Sequence, residues 1–469
     1  MITPWKRWRT VAPHQIALKT DQGELSWDEL CQTVDRYSAH LIKQGVASGD
    51  VVTIVGKNHI DTLFVFLAAH QVGAICALTM PQPVAQLEVK FDTLYPQGRS
   101  ALIWLAPSAQ VTEDELYNLK RPVTVLCFNE ASITENNIDD FQAYDERNLA
   151  SLIFTSGSTG VPKAVAHTHQ QHFASSSGLL EWFHFNQQHC WLLSLPMYHV
   201  SGLSIVYRWL TAGACLKLGS GHLTDDIQGV SHASLVPVQL KRLLESGIDL
   251  NLTHVLLGGS HIPQELGMQA AQLGIETWLG YGMTEAASTV TARRVETGLG
   301  AGQVIPNRKL EIRDGRIYIG GDTLASGYYQ QGYLVSFTDE QGWFDSKDLG
   351  QWHQGDLEVI GRADNLFISG GENIHCEEIE AVLNRHPDVA LAMIVPMEET
   401  TFGYRPVAVL STTQSLEKAY WDKWCADYLE KFKWPIAYFS MPEELTTSGI
   451  KVSRAALKTW LVEHYTASI

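Results

Sequence analysis

VVTIVGKNHIDTLFVFLAAHQVGAICALT, residues 51–79, opens on a β-branched run, continues through an apolar stretch of helical length, turns at a glycine and closes on a second strand-like run. That is the signature of a strand, a helix and a further strand. Working outward, the same texture recurs around SLIFT (151–155), CWLLSLP (190–196), ACLKL (214–218), ASLVPVQLKRLLES (233–246) and THVLLGG (253–259). The alternation predicts an α/β fold whose sheets are largely parallel and layered with helices. After residue 308 the pattern changes to short strands joined by turns, as in KLEIRDGRIYIGG with Asp314-Gly315 and GQWHQGDLEVIGR with Gly355-Asp356. Such turns predict hairpins, so a small β-rich part follows the α/β region. From Asn373 a helical stretch, IHCEEIEAVLNRH, leads to strand-like ALAMIVPM and PVAVLST, another helix and IAYFSM. Residues 364–469 are expected to form a small α+β domain of their own, joined to residues 1–363 by a short hinge near Asp364.

The chain has 469 residues, too many for one ordinary core, and two domains are the natural expectation. A formal net charge of −17 argues against nucleic acid as a partner, since affinity for a phosphate backbone is built from clustered Lys and Arg. The 7 cysteines, Cys31, Cys76, Cys127, Cys190, Cys215, Cys376 and Cys425, form no CxxC pair and read as reduced thiols. The opening MITPWKRWRTVAPHQIALKT has cationic residues but no continuous apolar segment behind them, and no later stretch is apolar enough to span a bilayer. The expectation is a cytoplasmic protein without membrane insertion; a homo-oligomer is left open.

TSGSTGVPK, residues 155–163, follows a strand-like run and offers the hydroxyls and amides of Thr155, Ser156, Gly157, Ser158, Thr159 and Gly160, with Lys163 at its end. A P-loop NTPase has glycine directly before its lysine, where backbone N–H groups wrap the phosphates. Here Pro162 has no N–H to donate, so that reading is poor. Three histidines, His167, His169 and His172, follow closely, but their spacing mixes strand and helix periods and lacks Cys or carboxylate partners, which weighs against a metal site.

The loop is one of an ordered series: LPMYH (195–199), LLGGS (256–260), GYGMTE (280–285), GWFDSKDLG (342–350), GRADNLFISGGENIHCEEIE (361–380) and GIKVSRAALK (449–458). Together these resemble the adenylate-forming superfamily of acyl- and aryl-CoA synthetases, luciferases and peptide-synthetase adenylation domains. The resemblance implies ATP, Mg²⁺ and CoA as cofactor and co-substrates and a small aromatic acid as the partner. It implies that a carboxylate attacks the α-phosphate of ATP, and that a thiol then displaces AMP.

Carried over residue by residue, it places Gly258, Gly259 and Ser260 on the nucleotide, Gly280, Tyr281 and Gly282 along the adenine, and Thr284 on the α-phosphate. Glu285 would help hold Mg²⁺, Asp348 would accept from the ribose, and Arg362 would touch the nucleotide side. His199 would shape the acyl pocket and Lys451 would bridge carboxylate and α-phosphate, so that Lys451, His199, Thr284 and Glu285 form the implied catalytic set. Gly370 and Gly371 would border the CoA tunnel. Ile450 separates Gly449 from Lys451 where relatives have Gly-Lys, and Ile368 stands where many have lysine. The run ISGGENIH is similar to aryl-CoA ligases of the 4-chlorobenzoate kind. WLLSLPMYHVSGLSIVYRWL, VLLGGSHIP and SGIKVSRAALKTW most resemble the o-succinylbenzoate-CoA ligases. A benzoate-type ligase and a free-standing loader of carrier proteins remain the alternatives. The implied acid carries a second carboxylate, for which Arg208 is one candidate partner, outside the catalytic set.

Overall fold

The computed structural model describes residues 2–128, 144–155, 162–258, 264–297, 300–369, 372–399, 402–446 and 452–465. The stretch that decides the fold class forms the strand Val51–Val55, the helix Ile60–Val72 and the strand Ile75–Thr79. The two strands pair in parallel, Val51 opposite Ile75. They lie inside an eight-stranded sheet with Ala101–Leu105, Val123–Leu126 and Leu149–Thr155 as parallel neighbours. Three antiparallel strands complete it: Lys163–Thr168, Gly327–Gln330 and Tyr333–Val335. Residues far apart in the chain thus share one edge, with Tyr328 opposite Val165.

A nine-stranded sheet takes its parallel centre from Ile16–Thr20, Cys215–Lys217, Cys190–Leu192, His232–Leu235, His254–Leu257 and Glu276–Met283. Antiparallel strands flank it on both sides, Gly23–Ser26 on one and Ser288–Arg294 with Gln303–Val304 on the other. Between the two sheets lies the largest core, which includes Phe66, Trp191, Tyr207 and Trp209. The helix Ile60–Val72 is apolar nearly all round and buries every residue from Thr62 to Val72, as a helix sandwiched between sheets requires.

A four-stranded antiparallel sheet, Arg308–Arg313, Arg316–Gly321, Phe344–His353 and Asp356–Arg362, is the expected β-rich part. Its first hairpin turns through Asp314 (φ 48°) and Gly315 (φ 76°), two left-handed residues as a two-residue turn demands. The other hairpin differs from expectation by one residue. Its turn is Gln354 (φ 51°) and Gly355 (φ 92°), because glycine supplies the second left-handed position and Asp356 already belongs to the strand.

The fourth sheet is built wholly from strands after residue 365: Leu366–Ser369, Glu372–His375, Val389–Glu399, Gly403–Thr412 and Tyr438–Ser440. The short strand Glu372–His375 precedes the helix Cys376–Leu383, so the expected helical stretch from Asn373 begins three residues later. On the other flank Arg454 Nη2 donates to Glu380 Oε1 at 2.6 Å and Nε to the Ile394 carbonyl at 2.8 Å, while Leu457 is fully buried. The arginine and leucine of KVSRAAL therefore clamp that motif to the fourth sheet. Among the described residues no helix is long and apolar enough to cross a membrane.

Candidate active site

Thr155 and Lys163 are opposed as the last pair of an antiparallel ladder, so the strands present both ends of the TSGSTGVPK loop together. Ser156, Gly157, Ser158, Thr159 and Gly160 lie outside the described residues, as do Gly259, Ser260, Gly370, Gly371, Lys451 and the side chain of Asp364. The backbone of Asp364 sits in a short 3₁₀ turn, Ala363–Asn365, between the third and fourth sheets. Gly258 closes the strand His254–Leu257 and donates its N–H to the Leu235 carbonyl at 3.1 Å.

Lys163 Nζ rests over the Tyr328 ring, 4.8 Å from its centroid, and the Tyr328 hydroxyl donates to Glu285 Oε1 at 3.1 Å. Burial, followed by the Glu285 charge, raises the Tyr328 phenol, which keeps it a neutral donor. Tyr328 thus couples the loop lysine to the expected Mg²⁺ carboxylate. Sequence reasoning missed it, because the link depends on a strand more than 150 residues downstream of the loop. Glu285 and Thr284 lie half-buried in the 3₁₀ turn Thr284–Ala286 that ends the GYGMTE strand. Among the described residues no three His, Cys, Asp or Glu side chains converge as a metal cage. A single carboxylate nevertheless fits Mg²⁺ that arrives on phosphate oxygens and keeps waters of its own.

The two residues after that turn, Ala287 (φ 52°) and Ser288 (φ 97°), occupy left-handed backbone without being glycine. Such strain is held only where the surroundings over-determine it, commonly at functional sites. Here Ser175 Oγ donates to the Ala287 carbonyl at 2.5 Å. Gly282 has a packing reason of its own, since a Cβ there would lie 1.8 Å from the Ser288 carbonyl oxygen across the hairpin. At Gly280 the obstacle is Thr289 Cγ2 at 2.6 Å.

Asp348 is buried, and its two oxygens are already oriented. Tyr281 donates its hydroxyl to Oδ2 at 2.6 Å, and Arg362, its cross-strand neighbour, donates Nη1 to Oδ1 at 3.4 Å. The structure therefore joins Tyr281, Asp348 and Arg362 in one network.

His199 stands at the start of the helix Val200–Ala212. The LPMYH segment before it is braced by Asn58, which accepts from the Met197 N–H at 2.8 Å and donates to the Leu195 carbonyl at 2.9 Å. Burial, and then the charge of Lys90, hold the His199 imidazole below its ordinary value, so it is neutral at pH 7. Lys90 is a second residue missed from the sequence. It is 9% exposed, donates to Gln82 Oε1 at 3.0 Å, lies 4.9 Å from the Phe154 ring centroid, and is pulled down to about 8 by burial.

Further along the same helix, Ser201, Ser204 and Arg208 share a face by their spacing. Ser204 Oγ approaches Ser288 Oγ at 3.4 Å, so this face looks onto the segment that follows the Thr284–Glu285 turn. Arg208 is 2% exposed. Its guanidinium lies 5.2 Å from the Trp191 ring centroid, its Nε has no hydrogen-bonding partner, and no carboxylate among the described residues pairs with it. Burial, then the charge of Arg308, pull it down to about 9. A buried cation with donors to spare is a socket shaped for an anion.

His167, His169 and His172 are buried among rings instead of converging on a metal. His172 Nε2 meets Ser151 Oγ at 2.8 Å and its ring stacks on Tyr207; His169 Nδ1 meets the Tyr207 hydroxyl at 3.1 Å.

The chain is 39% identical over 463 residues to the 2-succinylbenzoate-CoA ligase of Salmonella typhimurium, covering 98% of each chain. It is 39% identical over 460 residues to that of Haemophilus influenzae, covering 96% of each. Its structure matches an Escherichia coli MenE variant with bound OSB-AMS at a TM-score of 0.87 and 36% identity, over 98% of this chain and 99% of the other. It also matches the Bacillus subtilis o-succinylbenzoate CoA synthetase in complex with ATP and magnesium ion, at a TM-score of 0.83 and 25% identity, over 94% and 95%. Residues 5–329 match the family described as AMP-binding enzyme, and the chain belongs to that family.

Proposed function

We propose that the chain is an AMP-forming ligase that joins 2-succinylbenzoate to CoA by way of an acyl-adenylate. The carrying observation is Arg208, a buried guanidinium without an anionic partner among the described residues, on the helix that begins at His199. Arg208 lies four positions, about 6 Å along a helix axis, beyond Ser204, which meets Ser288 after the Thr284–Glu285 turn. That length suits an acid with one carboxylate at the Thr284–Glu285 end and another at Arg208. A guanidinium meets a carboxylate with two parallel hydrogen bonds, which fixes orientation as well as charge.

In the first half-reaction an oxygen of the succinyl carboxylate bonds to the α-phosphorus while the bond to pyrophosphate breaks. Thr284 donates to the α-phosphate, Asp348 orders the ribose, and Glu285, held by Tyr328, meets the metal end of the nucleotide. Bound Mg²⁺ supplies charge neutralisation on the phosphates. In the second half-reaction the CoA thiol gives up its proton and attacks the acyl carbon, and AMP leaves with the electron pair of the broken bond. Neutral His199 lines the route between the two.

Residues 364–469 act as a mobile domain about a hinge near Asp364, presenting Lys451 for the first half-reaction and Gly370 with Gly371 for the second. The clamp from Arg454 to Glu380 supports this reading, because it ties the Lys451 motif to the fourth sheet. Lys451→Ala is expected to lose adenylation yet still convert supplied acyl-adenylate and CoA to thioester. Equal loss of both halves in the folded variant would discard the alternation. The acid itself is tested by thioester formation with 2-succinylbenzoate and with its analogue lacking the ring carboxylate. The dicarboxylate should win by at least about tenfold in kcat/KM, since a site built to pair a charge rejects a substrate without it. Equal use of the two acids would refute the assignment.

A further inference from the structure

Away from the nucleotide and acid residues, Cys190 and Cys215 each begin a strand of the nine-stranded sheet and are direct partners in a parallel ladder. Neighbouring strands run about 4.7–4.9 Å apart, inside the window of roughly 4.4–6.8 Å between Cα atoms that a disulfide spans. Both side chains belong to the same apolar face, beside Ile227 and Val230. Both also line a cavity of about 580 Å³ together with Lys19, His189, Ser231 and Asn251. Cys190 and Cys215 are themselves buried apart from this cavity wall; of the other five cysteines, Cys31, Cys76, Cys376 and Cys425 are buried without a cysteine neighbour, and Cys127 is exposed and alone. No group of three or more metal-ligating side chains forms among the described residues, which favours thiol chemistry over a metal centre.

We propose that Cys190 and Cys215 are a dithiol modification site, which closes to an intramolecular disulfide by exchange with a small disulfide such as glutathione disulfide. The Cys190 thiolate attacks one sulfur of the reagent, the reagent's S–S bond breaks, and one glutathione thiolate leaves. Cys215 then loses its proton and attacks the Cys190 sulfur of the mixed disulfide, expelling the second glutathione thiolate. Two protein thiols are oxidised, one glutathione disulfide is reduced to two thiols, and the released protons go to the departing thiolates. The order of attack follows from the pair's surroundings: Cys215 Sγ donates to the Leu216 carbonyl at 3.7 Å, which holds it as a thiol and leaves Cys190 to attack first. Lys19, on the strand beside the one that carries Cys215 and ion-paired with Glu24 at 3.0 Å, lines the same cavity. The strand carrying Cys190 runs on through Leu193 to the LPMYH segment, so closure would act on the acid side of the molecule.

The test uses the native full chain exposed to glutathione disulfide, quenched with a maleimide, digested and read by mass spectrometry. The expected product is a cross-linked peptide pair joining Cys190 to Cys215, lighter than the two thiol peptides by two hydrogens. It should form at least ~10-fold faster than any modification of Cys31 or Cys76. Cys127 should carry glutathione at most, without a cross-link. Cys215→Ser should stop at a mixed disulfide on Cys190, and Cys190→Ser should leave Cys215 as a thiol. If either variant fails to fold, the wild-type cross-link and its rate against Cys31 and Cys76 still decide the matter. The proposal is overturned if Cys127 is modified while Cys190 and Cys215 stay reduced. It is equally overturned if the pair closes no faster than the singly buried thiols, which would mark the reaction of an unfolded chain.

Discussion

Two arginines beside the Ser288–Arg294 strand are buried alike and partnered differently. Arg308 is 7% exposed and Arg208 2%, and burial pulls both down to about 9. Arg308 donates Nε to the Thr289 carbonyl at 2.9 Å, Nη1 to the Pro306 carbonyl at 2.7 Å, and Nη2 to the carbonyl and hydroxyl of Ser175, each at 2.8 Å. Its donors are spent on the protein, and it rivets the helix His169–Leu180 to the start of the third sheet. Arg208 has the face of Trp191 and no carboxylate. Burial of a charge is therefore not itself a sign of function; what separates a rivet from a socket is whether the acceptors belong to the chain.

The largest expected effect tests the rivet. Arg308→Met should lower stability by about 3–5 kcal/mol, because several buried carbonyls lose their donors at once. The fraction that remains folded should keep its preference for the dicarboxylic acid. Chemical denaturation together with kcat/KM on both acids measures this, and altered selectivity in folded protein would erase the distinction. Next, Arg208→Met should reduce kcat/KM for 2-succinylbenzoate by about 100-fold, close to 3 kcal/mol, while KM for ATP and stability hold or improve. If Arg208→Met instead unfolds the protein as Arg308→Met does, Arg208 is a rivet too.

Lys90 is the intermediate case, with the amide oxygen of Gln82 as its hydrogen-bond partner, and it sharpens the comparison at the smallest scale. Its folded value of about 8 lies below the ordinary 10.5, so at pH 7 both folded and unfolded states are protonated and the folded state bears the full cost of the buried charge. Lys90→Met should raise stability at pH 7 by about 1–3 kcal/mol. The gain should fade between pH 8 and 10.5, as the folded lysine is already neutral there and the unfolded one becomes so. Denaturation midpoints of both proteins across that range check the sign; a gain that persists unchanged above pH 10.5 would locate the effect in packing.

Much of this fold is legible in the sequence because its signals are local. The β-branched run at 51–55 and the apolar helix after it must be buried on both faces, and Asp314-Gly315 can serve only as a tight turn. The second hairpin was displaced by one because a single glycine fits either of two turn positions, and the strand register decides which. Among the expected site residues in described positions, Thr155 and Lys163 rest on the chemistry of their loop, and Tyr281, Glu285 and Asp348 on motif resemblance; none rests on periodicity. Their partners were beyond both. Tyr328 reaches Glu285 only because its strand joins a sheet begun far upstream, and Ala287 and Ser288 give no hint of left-handed backbone. Lys90 reads as an ordinary helix cation, and Arg208 as no more than one candidate partner for the second carboxylate, since helical spacing assigns a face but not what covers it. HTHQQH looked ambiguous for the same reason, and ring packing with Tyr207 is what the neighbouring helix supplies.

The edge that couples Val165 to Tyr328 also bears on the order in which a ribosome can finish this protein. Until Gly327–Gln330 has been synthesised, Lys163–Thr168 is an unpaired rim open to other chains. In the nine-stranded sheet, Ile16–Thr20 must likewise wait for Cys215–Lys217 before it has its parallel neighbour. Both strands must wait for partners made far downstream, and long-range closure of this kind slows folding and prolongs the exposure of sticky rims. A nascent chain halted between residues 168 and 327 should accordingly lean on a holding chaperone more than one halted beyond 335.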